Sequence, residues 1–342
     1  MSVDRPRGKA ARPGTAVRMV TVAEVANVSQ SVVSKVLNER PGVSDAVRRR
    51  VLAAVGATGY EWHRRRPRTE AIEVVFGAIV NAVNAPLLRG FWSMIRDSPF
   101  SLTVNHVGAD LGWLENLITH RPRGIVLAVS PVPPEVAGRL ALARIPTVVV
   151  DTIGDSPPEM NAVGATQWRG GAMATGHLTG LGHRRIALLS GPLHMTCCQA
   201  RFGGYLAALR DAGIRPERAL RRSLPFQFPP ARRAAHALLD LPDPPTAFVA
   251  GNDLQALGVL EACVERGLRV PEDVSVVGYD DLDAAVTAAP ALTTVHQPLE
   301  EMAAESIRVL NTVIEDPSLA PIRLDLAVDL VIRESTSPAR VR

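Results

Sequence analysis

Gln30, Ser31, Ser34 and Lys35 fall in one short run, Val28 to Asn38, whose Val32, Val33, Val36 and Leu37 recur at helical spacing. Wound into a helix, the run buries its apolar residues on one side. It presents an amide, two hydroxyls and an ammonium on the other, groups suited to reading base edges in a major groove. Ser29 is placed to cap the first turn. An ordinary amphipathic helix with a solvated polar face has the same pattern, so the neighbouring elements must decide. After Pro41-Gly42, Ser44 opens another helix with the stripe Val47, Val51, Ala54 and Val55, which Gly59-Tyr60 ends. With a helix before the run, three short helices make a compact headpiece of helix-turn-helix type.

Charge supports a nucleic-acid partner. Residues 1–70 hold 14 Lys/Arg and 6 Asp/Glu, net +8, which leaves the rest at net −4 to reach the overall +4. A cationic head on a mildly acidic body suits phosphate contact through counterion release. Residues 1–18, rich in Arg, Pro and Gly, have the composition of a disordered basic tail. Cys197, Cys198 and Cys263 form no metal-type spacing and no disulfide framework, so no metal or other cofactor is expected. With no signal-like apolar core and no long apolar stretch, a cytoplasmic chain with no membrane partner is the expectation.

From Ile72 onward, apolar runs alternate with helical stretches. The runs are 72–80, 102–107, 124–129, 147–151, 186–190, 247–250 and 274–279, and the helices 87–96, 111–119, 134–143, 170–181, 201–212, 231–239 and 253–266. Near-continuous apolar strands between amphipathic helices predict an α/β body of parallel sheets covered on both faces, larger than one sheet requires. Ligands of such sheets sit beyond the carboxyl ends of the strands. That places Asn81, Asn84, Ser130, Asp151, Asn252-Asp253 and Asp280-Asp281 as candidates, each of which a cap or turn role would also explain.

In its order of headpiece, basic connector and long α/β body, the chain resembles the lactose-repressor (LacI/GalR) family of bacterial transcription regulators, from about Val20 to Ser335. The strings that carry the resemblance are Val28 to Asn38, Leu181-Gly182-His183-Arg184-Arg185-Ile186-Ala187, Arg201-x-x-Gly204-Tyr205, Asn252 to Gly258, Val270 to Asp281, Leu292 to Pro298 and Arg333 to Thr336. The resemblance implies a helix-turn-helix domain at 19–60, a basic hinge at 61–70 and a two-lobed body at 71–338, like periplasmic sugar-binding proteins. It also implies a homodimer whose paired headpieces read a pseudo-palindromic duplex operator, commonly as a repressor, under control of a small polar effector.

Carried over by residue, Gln30, Ser31 and Lys35 fall on base-reading positions, and Thr21, Ser29, Ser34 and Asn38 on phosphate-contacting or capping ones. Arg201, Asp280 and Gln297 fall on effector positions, joined by Asn81, Ser130, Asp151 and Asn252. Phe226 lies where the family often places a stacking aromatic. An arginine facing a carboxylate suits a hydroxyl- or carboxylate-bearing ligand.

Three departures stand out. Asn27-Val28-Ser29 follows Val20 to Ala26 at once, so the first helix is either short with a Thr21–Glu24 capping box, or begins near Val17 without one. The hinge reads Glu61 to Thr69 with Arg64, Arg65 and Arg66 where an apolar minor-groove wedge is usual; these arginines track phosphates, enter a narrow groove, or form a flexible linker. Thr166-Gln167 replaces an Asp-Asn pair, which removes a charged grip on sugar hydroxyls. The adjacent Cys197 and Cys198 read as packing residues. An enzyme is disfavoured by the absence of nucleophile-elbow, phosphate-loop, zincin and dinucleotide signatures. The alternative function is a cytoplasmic sugar-like-molecule binder with weak or degenerate DNA binding.

Overall fold

The computed structural model describes residues 19–37, 42–58, 60, 70–78, 82–108, 110–152 and 154–340. Contacts divide the chain into two units, 1–67 and 68–342. Asn38, Arg64, Arg65, Arg66 and Asn81, together with the tail 1–18, lie outside the described residues.

In the first unit, α1 (Met19–Val25), α2 (Gln30–Leu37) and α3 (Asp45–Thr58) share a core of Val22, Ala23, Ala26, Val33, Val36, Leu37, Val51 and Ala54. Asn27 takes a left-handed φ of 50° just past α1, a conformation in which asparagine costs less than most residues. Thr21 lies inside α1, so its backbone is helical and the Thr21–Glu24 capping box is not formed. Arg50 Nε donates to the Ala26 carbonyl at 2.9 Å and Arg48 Nη1 to the Val36 carbonyl at 3.5 Å. α3 thus satisfies carbonyls that the ends of α1 and α2 leave open.

The second unit holds two six-stranded sheets. Its strands are β1 (Ala71–Phe76), β2 (Ser101–His106), β3 (Gly124–Ala128), β4 (Thr147–Val150), β5 (Asn161–Ala165), β6 (Ile186–Ser190), β7 (Arg221–Ser223), β8 (Ala247–Ala250), β9 (Ser275–Asp280), β10 (Thr293–His296), β11 (Arg323–Leu326) and β12 (Asp329–Val331). The helices are α4 (Asn84–Ile95), α5 (Gly112–His120), α6 (Pro134–Ala143), α7 (Gln167–Gly180), α8 (Thr196–Asp211), α9 (Phe228–Leu239), α10 (Asp253–Glu265), α11 (Asp283–Thr287) and α12 (Leu299–Glu315). One sheet runs β11-β5-β4-β3-β1-β2, the other β12-β10-β9-β8-β6-β7. Neighbours are parallel except β10 and β12, with Val74 opposite Val126 in the first sheet and Val249 opposite Val277 in the second.

All seven apolar runs form strands, and β5, β7, β10, β11 and β12 are additional to them. Of these, β7, β11 and β12 are edge strands, short and without a buried residue, so apolar content is not required, while β10 is largely buried but only four residues long and half threonine. β7 reads Arg-Arg-Ser and β11 Arg-Leu-Asp-Leu.

The chain crosses between the sheets at Ala165–Gln167, His296–Pro298 and Leu326–Asp329. Thr166 N donates to the Leu326 carbonyl at 2.9 Å and Val328 N to Thr166 Oγ1 at 3.2 Å, which ties the first crossing to the third. α12 returns to the first lobe against α4, where Gly90 leaves no room for a Cβ beside the Glu300 carbonyl.

The string around His183 closes α7, with His183 N on the Leu178 carbonyl at 3.1 Å, and its side chain anchors the C-terminal segment. His183 Nδ1 meets Thr246 Oγ1 at 2.9 Å, while its Nε2 lies 3.0 Å from both Ser275 Oγ and the Ser337 carbonyl. Ala339 N adds a bond to the Leu181 carbonyl at 2.8 Å.

Candidate functional sites

Two sites emerge, one in each unit. On α2, Gln30, Ser31 and Lys35 are exposed and Ser34 is half-buried, while Val33, Val36 and Leu37 face the core. Ser29 caps the helix: its Oγ accepts from Val32 N at 3.4 Å and lies 2.8 Å from Ser31 Oγ. Val32, expected to be fully inside, is only half-buried. The exposed face therefore offers amide, hydroxyl and ammonium donors on a helix held rigidly by its opposite side.

In the second unit, strand ends converge on Arg201. Val129, Asp151, Asp280 and Asp281 adopt left-handed φ values of 46°, 48°, 98° and 59° at the carboxyl ends of β3, β4 and β9. Such backbone costs energy outside glycine, and its recurrence marks where the chain is bent to serve a site. Arg201 lies on α8, which approaches α7 closely because Gly171 and Gly204 stand where a Cβ would strike the Arg201 and Trp168 carbonyls. Tyr205 locks α8 onto β6 through a 2.9 Å bond from its hydroxyl to the Ile186 carbonyl.

The Arg201 guanidinium is surrounded. Nε donates to Gln167 Oε1 at 2.8 Å, Nη1 to the Gly251 carbonyl at 2.6 Å and Nη2 to Gln297 Oε1 at 2.9 Å. Asp280 Oδ1 lies 3.7 Å away, and the guanidinium carbon sits 3.5 Å over the Tyr279 ring. The Tyr279 hydroxyl also donates to Gln167 Oε1, at 3.0 Å. Burial pushes Asp280 well above the usual carboxylate range and raises Asp151, while Arg201 opposes both shifts. Tyr279 is likewise pushed up to about 12 by burial. Burial works against the Arg201 charge, but the acidic groups packed around it, Asp280 and Asp151 among them, raise its pKa, so the guanidinium stays protonated.

Arg201, on α8, thus comes together with Asp151 and Asp280 at strand ends and with Gln297 just past β10. Asn252 caps α10, its side chain accepting from Gln255 N at 2.9 Å, beside the Gly251 carbonyl that Arg201 uses. Ser130 is buried at the end of β3, with its hydroxyl on the Pro131 carbonyl at 3.1 Å. Phe226 packs where a Cβ on Gly191 would meet its ring, beside Cys198. Tyr279 and Gln167 were not among the sequence candidates. Tyr279 was readable as the neighbour of Asp280, and Gln167 was visible only as a departure.

A cavity of about 590 Å³ opens beside this cluster, lined in part by Asp151, Thr166, Gln167, Trp168, Cys197 and Asp325. Around Arg201, Phe226 and Tyr279 the free space falls to about 10 Å³. Among the described residues no group of three or more His, Cys, Asp and Glu is placed to hold a metal ion, and no helix is long and apolar enough to cross a membrane.

Residues 18–61 match the model of bacterial regulatory proteins of the lacI family, and residues 175–336 that of a periplasmic binding protein-like domain. The ribose operon repressor of Escherichia coli (strain K12) is 33% identical over 328 residues, 93% of this chain and 99% of that protein. The chain belongs to the LacI family. Two solved structures share the architecture of this LacI-family chain. One is a transcriptional regulator CelR–cellobiose complex, with TM-score 0.73, 31% identity and coverage of 93% of this chain and 99% of that one. The other is the lac repressor dimer bound to operator and the anti-inducer ONPF, with TM-score 0.70, 27% identity and coverage of 94% and 100%. This LacI-family chain is therefore a DNA-binding transcriptional regulator that joins a helix-turn-helix domain to an effector-binding body.

Proposed function

We propose that this LacI-family regulator is a cytoplasmic homodimeric repressor. Its paired α2 helices read two related half-sites of one operator, and a small polar metabolite between the lobes alters operator affinity. The headpiece is 19–60, the connector 61–70 and the effector body 71–338. Gln30, Ser31 and Lys35 read bases; Ser29, Ser34 and Thr21 hold the helix or meet phosphates, a role extended by the resemblance to Asn38 and to Arg64, Arg65 and Arg66. Pairing is favoured physically because one short helix reads too few base pairs, and two related helices multiply discrimination. The dimer bound to operator among the similar structures supports the same arrangement.

The observation that carries the effector half is the convergence of Arg201, Asp280, Asp151 and Gln297 where two of the three crossings meet the second lobe. Asn252, Ser130, Phe226 and Asn81 are assigned to the surroundings of the same site. A ligand there touches both lobes, so its binding energy can favour one lobe arrangement over another. Relatives named for ribose and cellobiose regulation support a polyhydroxylated or otherwise polar ligand. No catalytic role is assigned to the cluster.

Genomic footprinting of the purified full chain, with and without the small-molecule fraction of a cell extract, tests this reading. We expect discrete protected sites whose occupancy changes when the fraction is added. Protected sites indifferent to every fraction would remove the effector half of the proposal.

A further inference from the structure

Gln167 separates the large cavity from Arg201. It lines the cavity of about 590 Å³ on one side, and on the other its Oε1 accepts from Arg201 Nε at 2.8 Å and from the Tyr279 hydroxyl at 3.0 Å. The void of about 10 Å³ beside Arg201 and Tyr279 admits no ligand, so a molecule in the cavity reaches these donors only if something moves. Of the three groups that accept from Arg201, the Gly251 carbonyl is backbone and Gln297 is 2% exposed. Gln167 is half-exposed, opens α7 and carries a long rotatable side chain. It is the partner that can swing out.

We infer that Gln167 is a specificity-determining residue that stands in for the ligand, its amide oxygen occupying the Arg201 and Tyr279 donors until an effector displaces it. The inference rests on the reading of the interlobe cleft as the effector site. Displacement selects a chemical class. A neutral hydroxyl replaces one neutral acceptor with another and gains little, whereas a carboxylate accepts from the two donors that Gln167 releases, Arg201 Nε and the Tyr279 hydroxyl, with the first bond charge-assisted. The fitting effector is a small carboxylate-bearing molecule. Gln167 Nε2 also donates to Gln297 Oε1 at 3.3 Å, so displacing the amide removes a link between the first and second crossings.

Phenylglyoxal, which adds to accessible guanidinium groups, tests this in the full-length protein, with the Arg201 adduct followed by peptide mass spectrometry. Gln167→Ala is expected to raise the adduct rate about fivefold or more, the change that loss of one hydrogen bond produces. Gln167→Glu, which keeps an acceptor, retains protection. Malonate restores protection to Gln167→Ala, and glycerol at equal concentration does not. Gln167→Ser, which also falls short of Arg201, replaces the alanine variant if that one does not fold. Equal adduct rates in wild type and the shortened variants, or glycerol protection matching that of malonate, would overturn the inference. Failure here leaves the footprinting result untouched, so the two readings fail separately.

Discussion

Arg50 on α3 closes the end of α1 by donating its Nε to the Ala26 carbonyl at 2.9 Å. A cation bonded to the last carbonyls of a helix adds both a hydrogen bond and a favourable interaction with the helix dipole. In a headpiece this small the core is slight, so one such contact matters. We expect Arg50→Ala to destabilise the headpiece by about 1 kcal/mol. Hydrogen exchange should speed up in α1 and α2 and stay unchanged in the body; unchanged exchange in α1 would show that the contact contributes nothing.

His183 is buried and neutral, and burial holds it below the ordinary histidine range. Its unfolded form takes a proton as pH falls through about 6.5, while the folded form resists, so body stability falls as the solution is acidified below that point. His183→Gln should remove this component of the acid slope. It should also cost about 1–3 kcal/mol at neutral pH, because the Ser275, Thr246 and Ser337 contacts are not all replaced. Urea midpoints measured across mildly acidic and neutral pH would check both; an identical acid slope in the variant would assign the slope elsewhere.

Asp253 has the opposite sign. It is buried at the start of α10, accepting from Thr294 Oγ1 at 2.6 Å and from Leu282 N at 2.7 Å, and burial pushes its carboxyl up to about 7. The folded state therefore holds a proton that the unfolded state has lost above about 4. Its contribution is full below that value and is lost as pH rises through about 7. Asp253→Asn should flatten stability between those limits, read from the same urea series. Gly278 belongs to the same arrangement, since a Cβ there would strike Asp253 Oδ1.

Much of this architecture was legible before any coordinates. Apolar strands covered on both faces must be nearly continuous in sequence, so β1, β3, β4, β6, β8 and β9 announce themselves, and Pro134–Ala143 is recovered to the residue as α6. The edge strands β7, β11 and β12 were silent because they are short and carry no buried residue, whereas the edge strand β2 was still readable as the run 102–107. α12, with Met302, Ile307 and Leu310 buried, carries its apolar stripe beyond the last strand–helix pair of the alternating pattern. Arg201, Asp280 and Gln297 were accessible through the family resemblance. The part played by Gln167 was not, because a glutamine is chemically neutral everywhere and gains meaning only from the guanidinium 2.8 Å away. Likewise His183 carries no periodic signal that it meets residues 246, 275 and 337, far along the chain.

The central claim is that the exposed face of α2 chooses the DNA sequence. The most direct measurement selects bound duplexes from a genomic fragment library with the full chain, in parallel with a variant carrying Gln30→Ala, Ser31→Ala and Lys35→Ala together. The account predicts one enriched pseudo-palindromic motif for the wild type and loss of that motif in the variant, with weak salt-sensitive binding to all duplexes retained. Enrichment of the same motif by both proteins, or of no motif by the wild type, would contradict it.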